Sequence, residues 1–185
     1  MKRPLTLLAQ QAVAQVLRPG DLAIDATAGN GHDTVFLARQ VGLQGKVYAF
    51  DIQPQALRNT AQRLRQHDVQ ATVQLIQAGH QQLDQYLPPS LPAPLSAAMF
   101  NLGYLPGSDK QVTTGAPGTL EALDKILQRL APGGIISILA YRGHPGGKAE
   151  TQAIEDWLDA HAHELELEVF DSPGPILFLI RTHAP

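Results

Sequence analysis

The chain has 185 residues, 44% of them hydrophobic, with no cysteine and a formal net charge of −3, and its sequence pI is about 6.1. That length builds one well-buried core and is short for two, and the charge gives no global positive field for nucleic acid or an anionic membrane, so any such contact needs a local patch. The lack of cysteine excludes disulfides, thiolate catalysis and cysteine-based zinc sites, and no run approaches the roughly 20 apolar residues of a membrane span. A single cytoplasmic domain over residues 1–185 is the expectation.

Leu5, Leu8, Ala12, Val13 and Val16 recur at helical spacing until Pro19-Gly20 stops the pattern. Gln10, Gln11 and Gln15 interrupt this run, so it does not read as a leader peptide. Residues 22–26 read as a first strand and 32–41 as the helix that follows it. A second strand at 46–50 leads to a helix at about 54–66, with Pro54 suited to its first turn. Residues 73–76 read as a third strand, 81–86 as a short helix, 88–94 as a stiff proline-rich connector and 97–101 as a fourth strand. The stripe Leu120, Leu123, Ile126, Leu127 and Leu130 predicts a helix over 119–130, ended by Ala131-Pro132-Gly133-Gly134 before a fifth strand at 135–140. A helix at about 148–161 precedes segments 165–170 and 176–181, which lie too close for a helical crossover and should pair as an antiparallel hairpin. The pattern is a doubly wound α/β fold: seven strands, mostly parallel, with a C-terminal antiparallel hairpin and a ligand site at the carboxyl ends of the central strands.

The run Asp25-Ala26-Thr27-Ala28-Gly29-Asn30-Gly31-His32-Asp33-Thr34 lies between the first strand and the first crossover helix. Two glycines there let the backbone turn sharply against a ligand, and the helix start offers N–H groups. Asp51, 20 positions after Gly31 and at the end of the second strand, is placed to grip ribose hydroxyls. A dinucleotide fingerprint would carry glycine at position 34, where this chain has Thr34. One of Asn30, His32, Asp33 and Thr34 is expected to cap the helix. Asp25 is either a cofactor ligand or the centre of an Asx turn.

Asp25 at a strand tip, the segment Leu130 to Gly134 and the terminal hairpin resemble the Rossmann-like class I S-adenosylmethionine methyltransferases. In that family the first acidic residue and the glycine loop hold the methionine part, and the second acidic residue holds the ribose. The resemblance implies S-adenosyl-L-methionine as cofactor, bound among Asp25, Thr27, Gly29, Asn30, Gly31, His32, Asp33, Asp51, Gln53, His80 and Asn101. Gln53 falls near the adenosine or in solvent, and His80 either contacts adenine or is a surface histidine opening the next helix.

Asn101-Leu102-Gly103-Tyr104 resembles the Asn-Pro-Pro-Tyr signature of amino-group methyltransferases, with Leu102-Gly103 in place of the prolines. There the Asn side chain accepts hydrogens from the amine and so aims its lone pair, a positioning effect that can supply roughly 7 to 11 kcal/mol. Three segments together, 25–34, 101–110 and 141–150, resemble the family long labelled putative rRNA methylases, of the MnmM or YtqB type. What that resemblance implies is an N-methyltransferase, a homodimer, that makes 5-methylaminomethyl uridine from 5-aminomethyl uridine at the tRNA wobble position, with or without a 2-thio group.

Asn101, Tyr104 and His144 are the candidate catalytic residues. Tyr104, Asp109 and Lys110 lie in a Gly/Pro-punctuated loop at the expected mouth, and Tyr141, Arg142, His144 and Lys148 follow the fifth strand, where an aromatic ring and two cations would meet base and phosphate. The amine's proton goes to His144, to Asp109 or to water. Glu150 reads as support for a helix start, and His161 and His163 beside Glu164 lack the further ligands a metal needs, so no metal site is expected. Two rival readings share the cofactor loop: a small-molecule amine methyltransferase and a non-catalytic S-adenosylmethionine-binding module.

Overall fold

The structure is a computed structural model that describes residues 3–103 and 115–183. Four apolar runs, Leu22–Asp25 (β1), Lys46–Asp51 (β2), Val73–Gln77 (β3) and Leu95–Leu102 (β4), lie parallel with Leu130–Tyr141 (β5). Leu165–Phe170 (β6) and Pro175–Thr182 (β7) form the expected antiparallel hairpin, and β7 pairs antiparallel with β5. The strand order is β3-β2-β1-β4-β5-β7-β6. Chain progression therefore reverses between β1 and β4, and that switch point leaves a crevice at their carboxyl ends.

Both faces of the central strands are buried, which is why they read as continuous apolar runs. Leu5–Val16 (α1) and His32–Val41 (α2) pack Ala9, Val13, Leu37 and Val41 on one face, around Ala23, Val47, Met99 and Leu139. Pro54–Gln66 (α3) lies beside α2 and buries Ala56, Thr60 and Leu64. Ala116–Leu127 (α4) and Gly147–Ala160 (α5) cover the other face, where Leu123, Ile126, Ile154 and Trp157 pack on Ile24, Phe50, Phe100 and Phe178.

The structure departs from the sequence-based expectation in three places. Helix α4 starts at Ala116, three residues before the expected point, with a proline in its first turn. The expected terminator at 131–134 lies inside β5, because Leu130 already pairs with Leu95 and the register then jumps to Ala97 opposite Ile135. The intervening residues bulge, and the N–H of Gly133 donates to the carbonyl of His183. None of the four candidate caps opens α2: its N-cap is Gly31, in the left-handed region at φ 79°, with no side-chain cap.

That backbone conformation favours glycine, and a Cβ at position 31 would lie 2.9 Å from the Thr60 Cα on α3. Gly31→Ala should cost about 1 to 3 kcal/mol from the backbone alone, with the contact adding to it. Urea unfolding followed by fluorescence of Trp157, the single tryptophan, should show a lower midpoint and an unchanged slope. A wild-type midpoint would mean that α3 does not hold the loop.

Candidate functional site

The loop after β1 closes around Asp25, which has no exposed surface. Its Oδ1 accepts the Thr27 N–H at 3.1 Å, the Asx turn considered from sequence, and its Oδ2 accepts the Thr34 hydroxyl at 2.6 Å. Burial first, and then the negative charge of Asp33, push the Asp25 carboxyl up to about 7, against the pull of these two bonds. Both oxygens of Asp25 thus bond within the protein, and its side chain shapes the loop from beneath.

Asp51, at the end of β2, accepts the Gly29 N–H at 2.9 Å with Oδ2 and the Gln53 N–H at 2.9 Å with Oδ1. A carboxylate offers about four lone-pair sites, so two remain, and Asp51 is only partly covered. Helix α3 holds the loop from its outer side. Thr60 donates its hydroxyl to the Gly29 carbonyl at 3.1 Å, Arg63 Nε donates to the Asn30 carbonyl at 2.6 Å, and Asn59 Nδ2 donates to Asn30 Oδ1 at 2.9 Å. His32 is exposed at the start of α2, and Gln53 is partly exposed at the start of α3.

Asn101, near the end of β4, is tied to the same loop twice. Its N–H donates to Thr27 Oγ1 at 2.7 Å, and its Nδ2 donates to Asp33 Oδ2 at 2.5 Å. Since an ionised carboxylate only accepts, the nitrogen end of the amide must face Asp33, and Oδ1 is the end left to accept from another molecule. Gln10 Nε2 on α1 donates to the other Asp33 oxygen at 2.7 Å. Asp33 thus takes an amide on each oxygen, where sequence had placed it as a cofactor contact or a cap.

Beside Asn101, a Cβ on Gly103 would meet Tyr141 Cβ at 3.6 Å and His144 Cδ2 at 3.8 Å, so the ends of β4 and β5 converge as expected. Tyr141 is 41% exposed. Burial and the Asp33 charge raise its phenol above the ordinary value, keeping it a hydrogen-bond donor. His144 is buried, and its Nδ1 lies 3.0 Å from the Pro145 carbonyl, which requires Nδ1 to carry the proton. Tyr104, Asp109 and Lys110 lie outside the described residues.

His80 is neither on the surface nor in a regular helix. It opens the 3₁₀ turn His80–Gln85, is 8% exposed, donates from Nδ1 to the Ala26 carbonyl at 2.9 Å and meets Phe100 edge-on at 5.4 Å. Burial lowers its pKa, so the ring is neutral. Arg142 is spent on the hairpin: it donates to Asp171 Oδ1 and the Ser172 carbonyl at 2.5 Å each and to the Gly174 carbonyl at 3.3 Å. Lys148 is exposed and lines, with Arg142, Gln152 and Glu155, a cleft of about 530 Å³. Glu150 is buried and accepts the Thr119 hydroxyl at 2.7 Å, joining α5 to α4. His161 stacks on Trp157, with ring centroids 4.3 Å apart. Among the described residues, no group of three or more His, Asp or Glu side chains is placed to hold a metal.

The sequence reading missed Gln10, Asn59, Thr60, Arg63 and Ile52. The first four act on the loop from distant parts of the chain and carry no local signature. Ile52 leaves 52% of its surface exposed between Asp51 and Gln53. An exposed branched apolar residue directly after a strand-end acid is a signal that sequence does contain.

Comparison with known proteins places these observations in a family. A profile of the family described as "Putative rRNA methylase" matches residues 47–171. The chain is 38% identical over 162 residues to the "tRNA (mnm(5)s(2)U34)-methyltransferase, chloroplastic" of Arabidopsis thaliana; the match takes in 83% of this chain and 58% of that protein's length. Its fold superposes with a TM-score of 0.92 on a crystal structure described as a "putative rRNA-methylase" from Clostridium thermocellum, at 34% identity, covering 98% of this chain and 99% of that one. It superposes with a TM-score of 0.85 on SMU.1697c, a "putative methyltransferase" of Streptococcus mutans in complex with SAH, at 38% identity and the same coverage. The fold is that of the class I S-adenosylmethionine methyltransferases, and with the profile spanning most of β2 to β6, the chain belongs to the rRNA methylase family.

Proposed function

We propose that the chain is an S-adenosylmethionine-dependent N-methyltransferase that converts 5-aminomethyl uridine, with or without a 2-thio group, to its 5-methylaminomethyl form at the tRNA wobble position. The observation that carries this reading is the fixed amide of Asn101, with its nitrogen on Asp33 and its oxygen left to accept. The name of the Arabidopsis relative supplies the substrate class. The proposal takes the chain as a single domain that works as a cytoplasmic homodimer; sizing in solution tests the dimer. No described helix is long and apolar enough to cross a membrane.

The residues fit the cofactor. Asp51 has acceptor sites left for ribose hydroxyls, Ile52 offers an apolar surface beside it for adenine, and Gly29 and Gly31 keep the loop free of side chains. Bound there, S-adenosylmethionine supplies an electrophilic methyl on a sulfonium. Asn101 Oδ1 takes an amine N–H and turns the nitrogen lone pair away from itself, and Tyr141 walls the acceptor side. The Asp33 carboxylate behind Asn101 would favour the positive charge that the amine nitrogen takes on as it gains the methyl and the C–S bond breaks, leaving a neutral thioether. His144, buried beside Gly103 at the ends of β4 and β5, stays in the proposal as the candidate to take the amine's proton. Tyr104, Asp109 and Lys110 remain part of the proposal as substrate contacts, with Lys148.

Two outcomes test this reading. Asn101→Ala should lower kcat about 100-fold through lost positioning, a larger effect than on cofactor affinity, and Asp33→Asn should lower it about 10- to 100-fold, the equivalent of one charge-assisted bond of about 1.5 to 3 kcal/mol. Unchanged turnover in both would remove the proposed cradle. Nucleoside mass spectrometry of tRNA from a deletion strain should show 5-aminomethyl uridine accumulating at the expense of the methylated form, and an unaltered profile would sink the substrate assignment.

A separate prediction concerns the stability of the loop around Asp25. Its folded-state value of about 7 lies above the ordinary 3.8, so between those values the folded protein holds a proton that the unfolded chain has lost. The stability contributed by Asp25 therefore falls as the pH rises through that window. Asp25→Asn should melt close to wild type near about pH 4 and gain on it towards about pH 8. A difference that stays constant across the window would mean that Asp25 ionises as an ordinary carboxylate.

A further inference from the structure

The net charge of −3 conceals two faces of opposite sign. Helices α2 and α3, on one face, carry Arg39, Arg58, Arg63 and Arg65 and a single acid, Asp33, which is engaged by Asn101 and Gln10. Helices α4 and α5, on the other, carry two lysines and six carboxylates. The cations also differ in their partners. Lys125, Arg129, Arg142 and Arg181 each meet a carboxylate. Among the described residues, none of the four arginines of α2 and α3 does.

These arginines form one surface. Arg58 and Arg65 are two helical turns apart on α3, so they share a face roughly 10 Å long. Arg39 reaches across from α2, with its Nη2 2.9 Å from His67 Nδ1 at the end of α3. Arg58 is held upright by two bonds to Gln55 Oε1, at 3.2 and 2.7 Å, and Arg39, Arg58 and Arg65 are exposed. Arg39 and Arg65 lie in the last turns of α2 and α3, and Arg39 is six residues, or roughly 9 Å of helix rise, beyond Asp33, which holds Asn101.

We propose that the outer surface of α2 and α3, with Arg39, Arg58 and Arg65 as phosphate contacts, is where the RNA backbone docks. This rests on the tRNA reading above and deepens it. It also relocates the contact: the residues after β5 were the expected basic patch, but Arg142 is neutralised by Asp171 and Lys148 shares its cleft with Glu155. Guanidinium groups without carboxylate partners bind phosphate without first breaking an ion pair, while the carboxylates of α4 and α5 repel the same backbone.

The test is binding of an unmodified tRNA transcript to the full chain across a range of salt concentrations. Replacing Arg39, Arg58 and Arg65 together by Gln should weaken binding at least about tenfold and reduce the slope of log K against log salt by about 2 to 3, at about 0.7 to 0.9 per phosphate contact. The triple replacement by Lys should restore most of that slope, and all variants should bind S-adenosylmethionine as wild type does, which reports an intact fold. Wild-type affinity and slope in the Gln variant would overturn the inference alone. A wild type that binds no tRNA would overturn it together with the reading on which it rests.

Discussion

One buried carboxylate organises the carboxyl edge of the sheet. Asp25 ends the central strand β1 with no exposed surface, and a buried carboxyl must have its oxygens bonded or the fold bears the full cost of stripping water from it. That requirement sets the path of the loop. The Thr27 N–H folds back onto one oxygen and the Thr34 hydroxyl comes down onto the other, which fixes where α2 begins. With α2 starting at His32, Asp33 faces β4 and takes the Asn101 amide, while the Thr27 hydroxyl takes the Asn101 N–H. The glycine loop and Asn101 are therefore parts of one bonded unit, and a shift in either moves the other.

Glycines make such a loop mobile unless something outside it removes that freedom. Helix α3 does so through Asn59, Thr60 and Arg63, all of which bond Gly29 or Asn30, and through the close approach of Thr60 to Gly31. Asp51 closes the remaining side by holding the Gly29 N–H. A loop ordered before its ligand arrives spends less of the binding free energy on ordering. Gln10 does for Asn101 what α3 does for the loop, since it occupies the Asp33 oxygen that Asn101 leaves.

What could be read from sequence was local. Helices at 32–41 and 54–66 were legible to the residue, because apolar periodicity and the Gly or Pro punctuation at their ends are local signals. The β5 start was not, because Pro132-Gly133-Gly134 is a stop signal by itself and becomes a bulge only when Leu95 and His183 are there to bond with it. Asp25, Asp51 and Asn101 were legible as strand-end polar residues. The work of Asp33 was not, since its partners lie 23 and 68 positions away. Arg142 failed for the same reason: a cation after a strand looks available until Asp171 and the carbonyls of Ser172 and Gly174 are brought to it by the hairpin.

The same distinction governs charge. A net value of −3 is an average over faces, and docking responds to the face within about 8 Å, the screening length at physiological salt. With the arginines of α2 and α3 on one face and the carboxylates of α4 and α5 on the other, the RNA of the proposed function would be oriented before any base is recognised. On the proposed reading, a nucleotide at the crevice between β1 and β4 then reaches Asn101 from the α2 side, over Asp33. On that reading Asp33 holds the acceptor amide, and its charge, which the two neutral amides bonded to it do not cancel, favours the positive charge that develops on the amine.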